Sequence, residues 1–352
     1  MYVTDPVSIV LSVVTCVFLA IFVFGEKKKK HPNYPPGPPC LPIIGNMHLI
    51  NLSKPYVTFH QLAEEYGSVY SLQLGPQKLV VLCGYERVKD ALVNHAEEFS
   101  GRPHVPVFID IAKEHGLIFS NGNNWKAMRR FTLSTLRDLG MGKRTIEDKI
   151  TEECHNLTKV LKAYKGKPFE NTMIMNAAVS NIIVSILLGH RFDYDDPKLR
   201  RLLTIINDNA RIAGSPMVLL YNAFPSLVRW LPGNHRELIP NVEEFHDFIR
   251  ETFTKQRNQL DVNDQRNFID VFLVKQKEEK PSPELYFNDI NLTVLVTDLF
   301  AAGMETTSTT LRWGLLLMMK YPEIQKNVQK EIEKVIGSGE PRQIHRKENA
   351  IY

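Results

Sequence analysis

Two groups of residues have the types and spacing to do chemistry. The first lies in NLTVLVTDLFAAGMETTSTTLRWGLLLMMK, residues 291–320, where Glu305, Thr306, Thr307, Ser308, Thr309 and Thr310 follow Gly303 inside an otherwise apolar run. Hydroxyl side chains compete for backbone groups, and glycine costs conformational entropy, so these are poor residues for a helix interior. Propensity given up in a buried helix points to function, the structural alternative being hydroxyls that simply bond back to carbonyls. The second group is Trp125 and Arg129, four apart and so on one helix face, with Lys126 and Arg130 beside them. An indole N–H and a guanidinium on one face can bind a carboxylate together; a stacked Trp–Arg pair in a core is the alternative.

These groups need helices to hold them, and the pattern supplies them. Apolar periodicity predicts helices over 56–66, 85–94, 124–139, 146–164, 171–188, 198–212, 242–260, 267–277 and 291–320. Residues 68–74 and 78–82 read as two short strands joined at Gly75-Pro76. The predicted fold class is therefore mainly α, of α+β type, with a small hairpin near the N-terminus. The 291–320 helix is apolar nearly all round, which predicts that it runs buried through the centre of the domain. An apolar, proline-broken stretch lies between Gly214 and His235; it reads either as a core loop or as a surface that dips into a membrane interface with Trp230 at headgroup depth.

At the N-terminus VSIVLSVVTCVFLAIFVF, residues 7–24, carries no charge and is a candidate membrane span. Lys27 to Lys30 follow it and only Asp5 precedes it, so the positive-inside rule places the rest of the chain in the cytosol. A cleaved signal would carry its basic residues before the apolar run. Six prolines between Pro32 and Pro42 then predict a semi-rigid spacer. The expected organisation is an anchor over 1–25, a basic and proline-rich linker over 26–45 and one large domain over 46–352.

Composition narrows the function class. The chain has 352 residues, a formal charge of +4 and 43% hydrophobic residues, which excludes wholesale disorder, and part of its basic excess is the lysine run, so no nucleic-acid partner is expected. Cys16, Cys40, Cys83 and Cys154 share no close spacing, which argues against a zinc site or a disulfide scaffold. No phosphate loop, His-Glu-x-x-His pair or Gly-x-Ser-x-Gly elbow occurs. The sequons at Asn51, Asn156 and Asn291 are expected to be unused in a cytosolic domain.

The two chemical segments, with Pro35-Pro36-Gly37-Pro38 and Phe99-Ser100-Gly101-Arg102-Pro103, closely resemble the microsomal cytochrome P-450 family, of the vertebrate family-two type. The resemblance runs from the anchor to about Arg346. It implies the cytochrome P-450 fold and a haem-thiolate monooxygenase that oxidises lipophilic small molecules (xenobiotics, steroids or fatty acids) with O2 and electrons from NADPH. The cofactor implied is haem b, and the partners are NADPH-cytochrome P-450 reductase and cytochrome b5. Ala302, Gly303, Glu305 and Thr306 resemble the oxygen-activation segment, where the family's central helix opens and Thr306, assisted by the neighbouring acid, relays protons. Arg102, Trp125 and Arg129 match the positions that bind the haem propionates. Lys126, Arg130 and Arg137 resemble the basic surface that docks redox partners. Ile118 and Phe119, with Leu219 and Phe224, fall where the family lines its substrate cavity. The implied location is the endoplasmic reticulum membrane, as a single-pass protein with a cytosolic catalytic domain.

The sequence also departs from the family. Its catalysis needs a cysteine thiolate on the iron, in the pattern Phe-x-x-Gly-x-x-x-Cys-x-Gly, and none of the four cysteines fits; no metal-ligating residue is therefore assigned. No glutamate is followed three residues later by arginine, although the family has such a pair. Residues 331–347 still read like the family's loop after the central helices, and the ending 348–352 departs from it. The expectation is a C-terminally truncated chain in which the central helix exposes apolar surface. The alternative function is a haem-free fragment that binds only membrane or redox partners.

Overall fold

The computed structural model describes residues 33–279 and 286–337, and Thr15 alone before them. The predicted membrane span therefore lies outside the described residues, apart from Thr15. Among the described residues no helix is long and apolar enough to cross a membrane. Helices of seven residues or more are α1 (Pro55–Tyr66), α2 (Pro106–Ala112), α3 (Gly122–Asp138), α4 (Arg144–Ala163), α5 (Thr172–Leu187), α6 (Pro197–Ala213), α7 (Pro216–Ala223), α8 (Leu238–Asn258), α9 (Phe268–Glu278), α10 (Asp289–Lys320) and α11 (Pro322–Ile336). Five of them, α1, α2, α6, α7 and α11, begin with a proline, where its missing N–H costs no hydrogen bond. The side chains of Asp196, Asn267 and Asn288 cap α6, α9 and α10 by accepting from backbone N–H groups.

The chain divides into two units, residues 1–101 with 216–231, and residues 102–215 with 232–352. The smaller holds an antiparallel hairpin, β1 (Val69–Leu74) and β2 (Gln77–Leu82), whose register pairs Val69 with Leu82 and Leu74 with Gln77. Leu62 of α1 packs on Tyr70 and Leu72 of β1, and the Tyr70 hydroxyl donates to the Phe59 carbonyl at 2.8 Å. The proline-rich stretch is not a free spacer over its last residues. Ser71 N–H donates to Pro36 O at 2.7 Å, and a Cβ on Gly37 would stand 2.0 Å from Ser71 O, so only glycine lets this strap lie against β1. Ordered fold therefore begins before residue 46.

The larger unit is a helical assembly around one core, in which Met128 of α3, Leu187 of α5, Leu203 of α6, Ile249 of α8, Phe272 of α9 and Leu295 of α10 are all buried. Phe131 meets Phe268, Phe272 and Phe287 edge-on, with ring centroids 5.1–5.5 Å apart. Glu153 is buried in the same unit and takes hydrogen bonds from Tyr194 Oη and Arg191 Nε, tying α4 to the chain after α5.

Three expectations change. The apolar stretch after Gly214 is not a loop: it forms α7 and a short helix at Pro225–Val228. The residues read as a loop after the central helices belong in part to α11, which buries none of its side chains. The central helix is buried only in its first half rather than throughout; Leu311, Trp313, Leu315, Leu316, Leu317 and Met319 are exposed, the apolar surface that the other expectation for this helix called for.

Candidate active site

The hydroxyl-rich stretch lies at the middle of α10, where burial gives way to exposure. The helix does not open there: α-helical structure is continuous from Asp289 to Lys320. The hydroxyls explain why. Thr306 Oγ1 donates to Ala302 O at 2.7 Å and Thr310 Oγ1 to Thr306 O at 2.7 Å, so each returns to the carbonyl one turn back. Gly303 serves close packing, since a Cβ would stand 2.8 Å from Ile183 Cδ1 of α5. Glu305 accepts from Thr309 Oγ1 at 3.2 Å through Oε1, while Oε2 is buried without a partner. A buried carboxylate oxygen left unpaired is costly and marks a place where a proton or donor belongs. Ala302 and Thr306 are exposed.

Trp125 on α3 is held between two guanidiniums. Arg102 lies over its ring at 5.1 Å and Arg129 at 5.4 Å. The alignment depends on Asn121 just before α3, whose Oδ1 accepts from Arg102 N–H at 2.6 Å and whose Nδ2 donates to Arg102 O. The three residues singled out in sequence thus come together around one indole ring, two cations on an aromatic face.

Two residues that link these groups escaped the sequence reading. Asn291 of α10, noted only as a sequon, is buried; its Nδ2 donates to Asn124 Oδ1 at 2.8 Å and its Oδ1 accepts from Gly116 N–H at 3.0 Å. Asp298, seven residues on, accepts from Leu117 N–H at 2.8 Å and Ile118 N–H at 3.1 Å through a single oxygen. Burial pushes its carboxyl up to about 6, although both amide bonds favour the charge. Gly116 makes the approach possible: at φ +79° it has no Cβ to strike Val294 and Asp298. The signal was present, because an acid inside an apolar helix must find donors.

Asp298 thus fixes the loop carrying Ile118 and Phe119, the latter stacked on Phe108 with centroids 3.8 Å apart. Leu219 and Phe224 belong to the other unit, where Phe224 packs on the hairpin turn at Gly75. Lys126, Arg130 and Arg137 are exposed along α3, and none is in an ion pair among the described residues.

Carboxylate donors and the Glu305–Thr306 face fit the acidic edge and one wall of a haem site. Its iron-binding end finds no ligand among the described cysteines: Cys40 and Cys83 are in the hairpin unit, and Cys154 is exposed on α4. No group of three metal-ligating side chains occurs among the described residues either.

Comparison with known proteins agrees with these features. The family model for cytochrome P450 matches residues 35–349. The chain is 42% identical to goat (Capra hircus) cytochrome P450 2F3 over 333 residues, 95% of this chain and 68% of that protein. It is 44% identical to rabbit (Oryctolagus cuniculus) cytochrome P450 2C14 over 335 residues, again 95% and 68%, and 44% identical to human (Homo sapiens) cytochrome P450 2C8 over 328 residues, 93% and 67%. It spans about two thirds of the length of these relatives. On the extent of these matches, the chain belongs to the cytochrome P450 family.

Proposed function

We propose that this chain carries the proton-handling wall and the propionate anchors of a membrane-bound haem-thiolate monooxygenase. The reaction inserts one atom of O2 into a lipophilic small molecule, with electrons from NADPH delivered by a reductase. The observation that carries the reading is the indole of Trp125 held between Arg102 and Arg129. Bound haem would supply the activation of dioxygen. The chain's own residues do the rest. Arg102 and Arg129 would neutralise carboxylates on the group's edge, and Trp125 keeps the two cations in register. Thr306 holds its proton on Oγ1, donated to Ala302 O, and must leave that bond to pass it outward. Glu305, whose Oε2 has no partner, is the group that resupplies it.

Lys126, Arg130 and Arg137 form the electropositive strip for an acidic reductase or cytochrome b5, where steering needs only exposed charge. Exposed Leu227, Trp230 and Leu231 support a membrane-facing surface, consistent with the endoplasmic reticulum and an anchor over residues 7–24. The second reading, a haem-free fragment that binds membrane or redox partners, is favoured by the position of the cysteines.

One spectrum separates the readings. The 352-residue chain, expressed in membranes and reduced under carbon monoxide, is expected to give no haem-thiolate absorption band, so that it holds the wall and the anchors without the thiolate, as in the second reading; a clear band overturns that reading and supports the complete enzyme. Haemin titration tests the anchors independently of the thiolate. Arg102→Ala with Arg129→Ala is expected to weaken binding about tenfold or more, as loss of charge-assisted bonds requires.

A further inference from the structure

A cavity of about 490 Å³ lies between the end of α4, the start of α5, the chain over 191–195 and α6. Every residue that lines it falls between Asn156 and Leu203, so it shares none with α3, α10 or the groups described above as the haem site. Its wall is divided by chemistry. Val160, Tyr164, Met173 and Ile174 form a half-buried apolar side, and the Tyr164 ring is held by stacking on Phe169 with centroids 4.1 Å apart. Three cations, Lys159, Arg191 and Arg200, line the rest with two acids, Asp193 and Asp195.

These charges do not cancel. Arg191 is committed elsewhere: its Nε donates to buried Glu153 Oε2 at 3.2 Å, and its Nη1 stands 3.6 Å from Asp193 Oδ1. Arg200 is anchored through Nε, which donates to Tyr194 O at 3.2 Å. Among the described residues neither its Nη groups, nor Lys159, nor Asp195 enters an ion pair. Two unpaired cations thus face one unpaired acid, and all three side chains are exposed. An anion meets net attraction at this cavity and an amine net repulsion.

We propose that the cavity binds an organic monoanion, with its carboxylate between Lys159 and Arg200 and its apolar body on Val160, Ile174 and the Tyr164 ring. Arg200 suits the role because a guanidinium anchored at Nε keeps both Nη groups for the two oxygens of a carboxylate. The volume is within the ordinary range for small-ligand sites and suits a two-ring acid.

The test uses the full chain in a nonionic detergent, with equilibrium dialysis of 2-naphthoate, neutral 2-naphthamide and protonated 2-naphthylmethylamine. Naphthoate is expected to bind about fivefold more tightly than the amide, the worth of two exposed ion pairs, and the amine more weakly than the amide. This order is expected to vanish at about 1 M salt, where charges are screened within about 3 Å. Lys159→Gln with Arg200→Gln is expected to abolish the preference for naphthoate and leave amide binding unchanged, which reports an intact cavity. Lys162→Gln, one turn from Lys159 and outside the cavity lining, is expected to change nothing. Ala163→Trp, at an exposed position on the lining, is expected to weaken all three probes. Equal binding of naphthoate and amide at low salt, a preference that survives the double variant, or one that Lys162→Gln removes as fully would each overturn the proposal.

Discussion

The two halves of α10 are nearly alike in apolarity and opposite in fate. Residues 291–296, Phe300 and Met304 are buried against α5, α8 and the loop at Gly116, whereas Leu311 to Met319 is exposed over most of its circumference. The second half is held from the side chiefly by α11 and by a bond from Arg312 Nε to Asn171 Oδ1 at 3.4 Å. Burial is thus a property of the neighbours, not of the helix. Apolar area contributes only when something removes it from water, at roughly 25 cal/mol per Å².

The largest test of this contrast is truncation. Phe300→Ala, at a site 2% exposed, is expected to cost about 3–5 kcal/mol in urea unfolding, and Leu316→Ala, at 47% exposed, about 0.5 kcal/mol or less. Equal costs would mean that the second half is covered in solution. Next comes the polar clasp on the buried half. Asp298→Ala leaves the amides of Leu117 and Ile118 unpaired and is expected to cost about 1–3 kcal/mol, with Asp298→Asn, which keeps an acceptor, costing less.

Comparable in size is a pH dependence in which two buried groups of this region pull in opposite directions. The His246 imidazole is lowered from 6.5 by burial, so its contribution is present above 6.5 and lost as pH falls. The Asp298 carboxyl is raised from 3.8 to about 6, so its contribution is present below about 3.8 and lost as pH rises through 6. Melting curves between pH 4 and 7 are expected to show His246→Leu removing the loss on the acid side and Asp298→Asn removing the loss on the other. Exchange of those two effects would reverse the assignment. The smallest stability effect belongs to the exposed half: Leu315→Gln with Met319→Gln is expected to leave unfolding within about 0.5 kcal/mol while reducing aggregation in sedimentation assays.

Much of this was legible in the residues. Most long helices and the hairpin followed from periodicity and the Gly75-Pro76 turn, and the Trp125–Arg129 pair followed from a spacing of four. Other features were not, among them α2, α7, α11 and the contacts of Asn291 and Asp298. α11 escaped because charged residues crowd between its apolar positions at Ile324, Val328 and Ile332, and the family resemblance suggested a loop from residue 331 on. Asp298 escaped because a single acid in an apolar run has no periodicity of its own; its partners are backbone amides some 180 residues earlier.

By itself, then, the sequence determined the helical class, the family membership and the residue types available for chemistry, since these rest on local pattern and composition. Tertiary structure decided which half of α10 is core, that Thr306 bonds back to Ala302 rather than opening the helix, and that Arg102 joins Trp125 from outside its helix. Those outcomes depend on contacts between segments far apart in the chain, where burial and hydrogen-bond partners are assigned by packing rather than by neighbours in sequence.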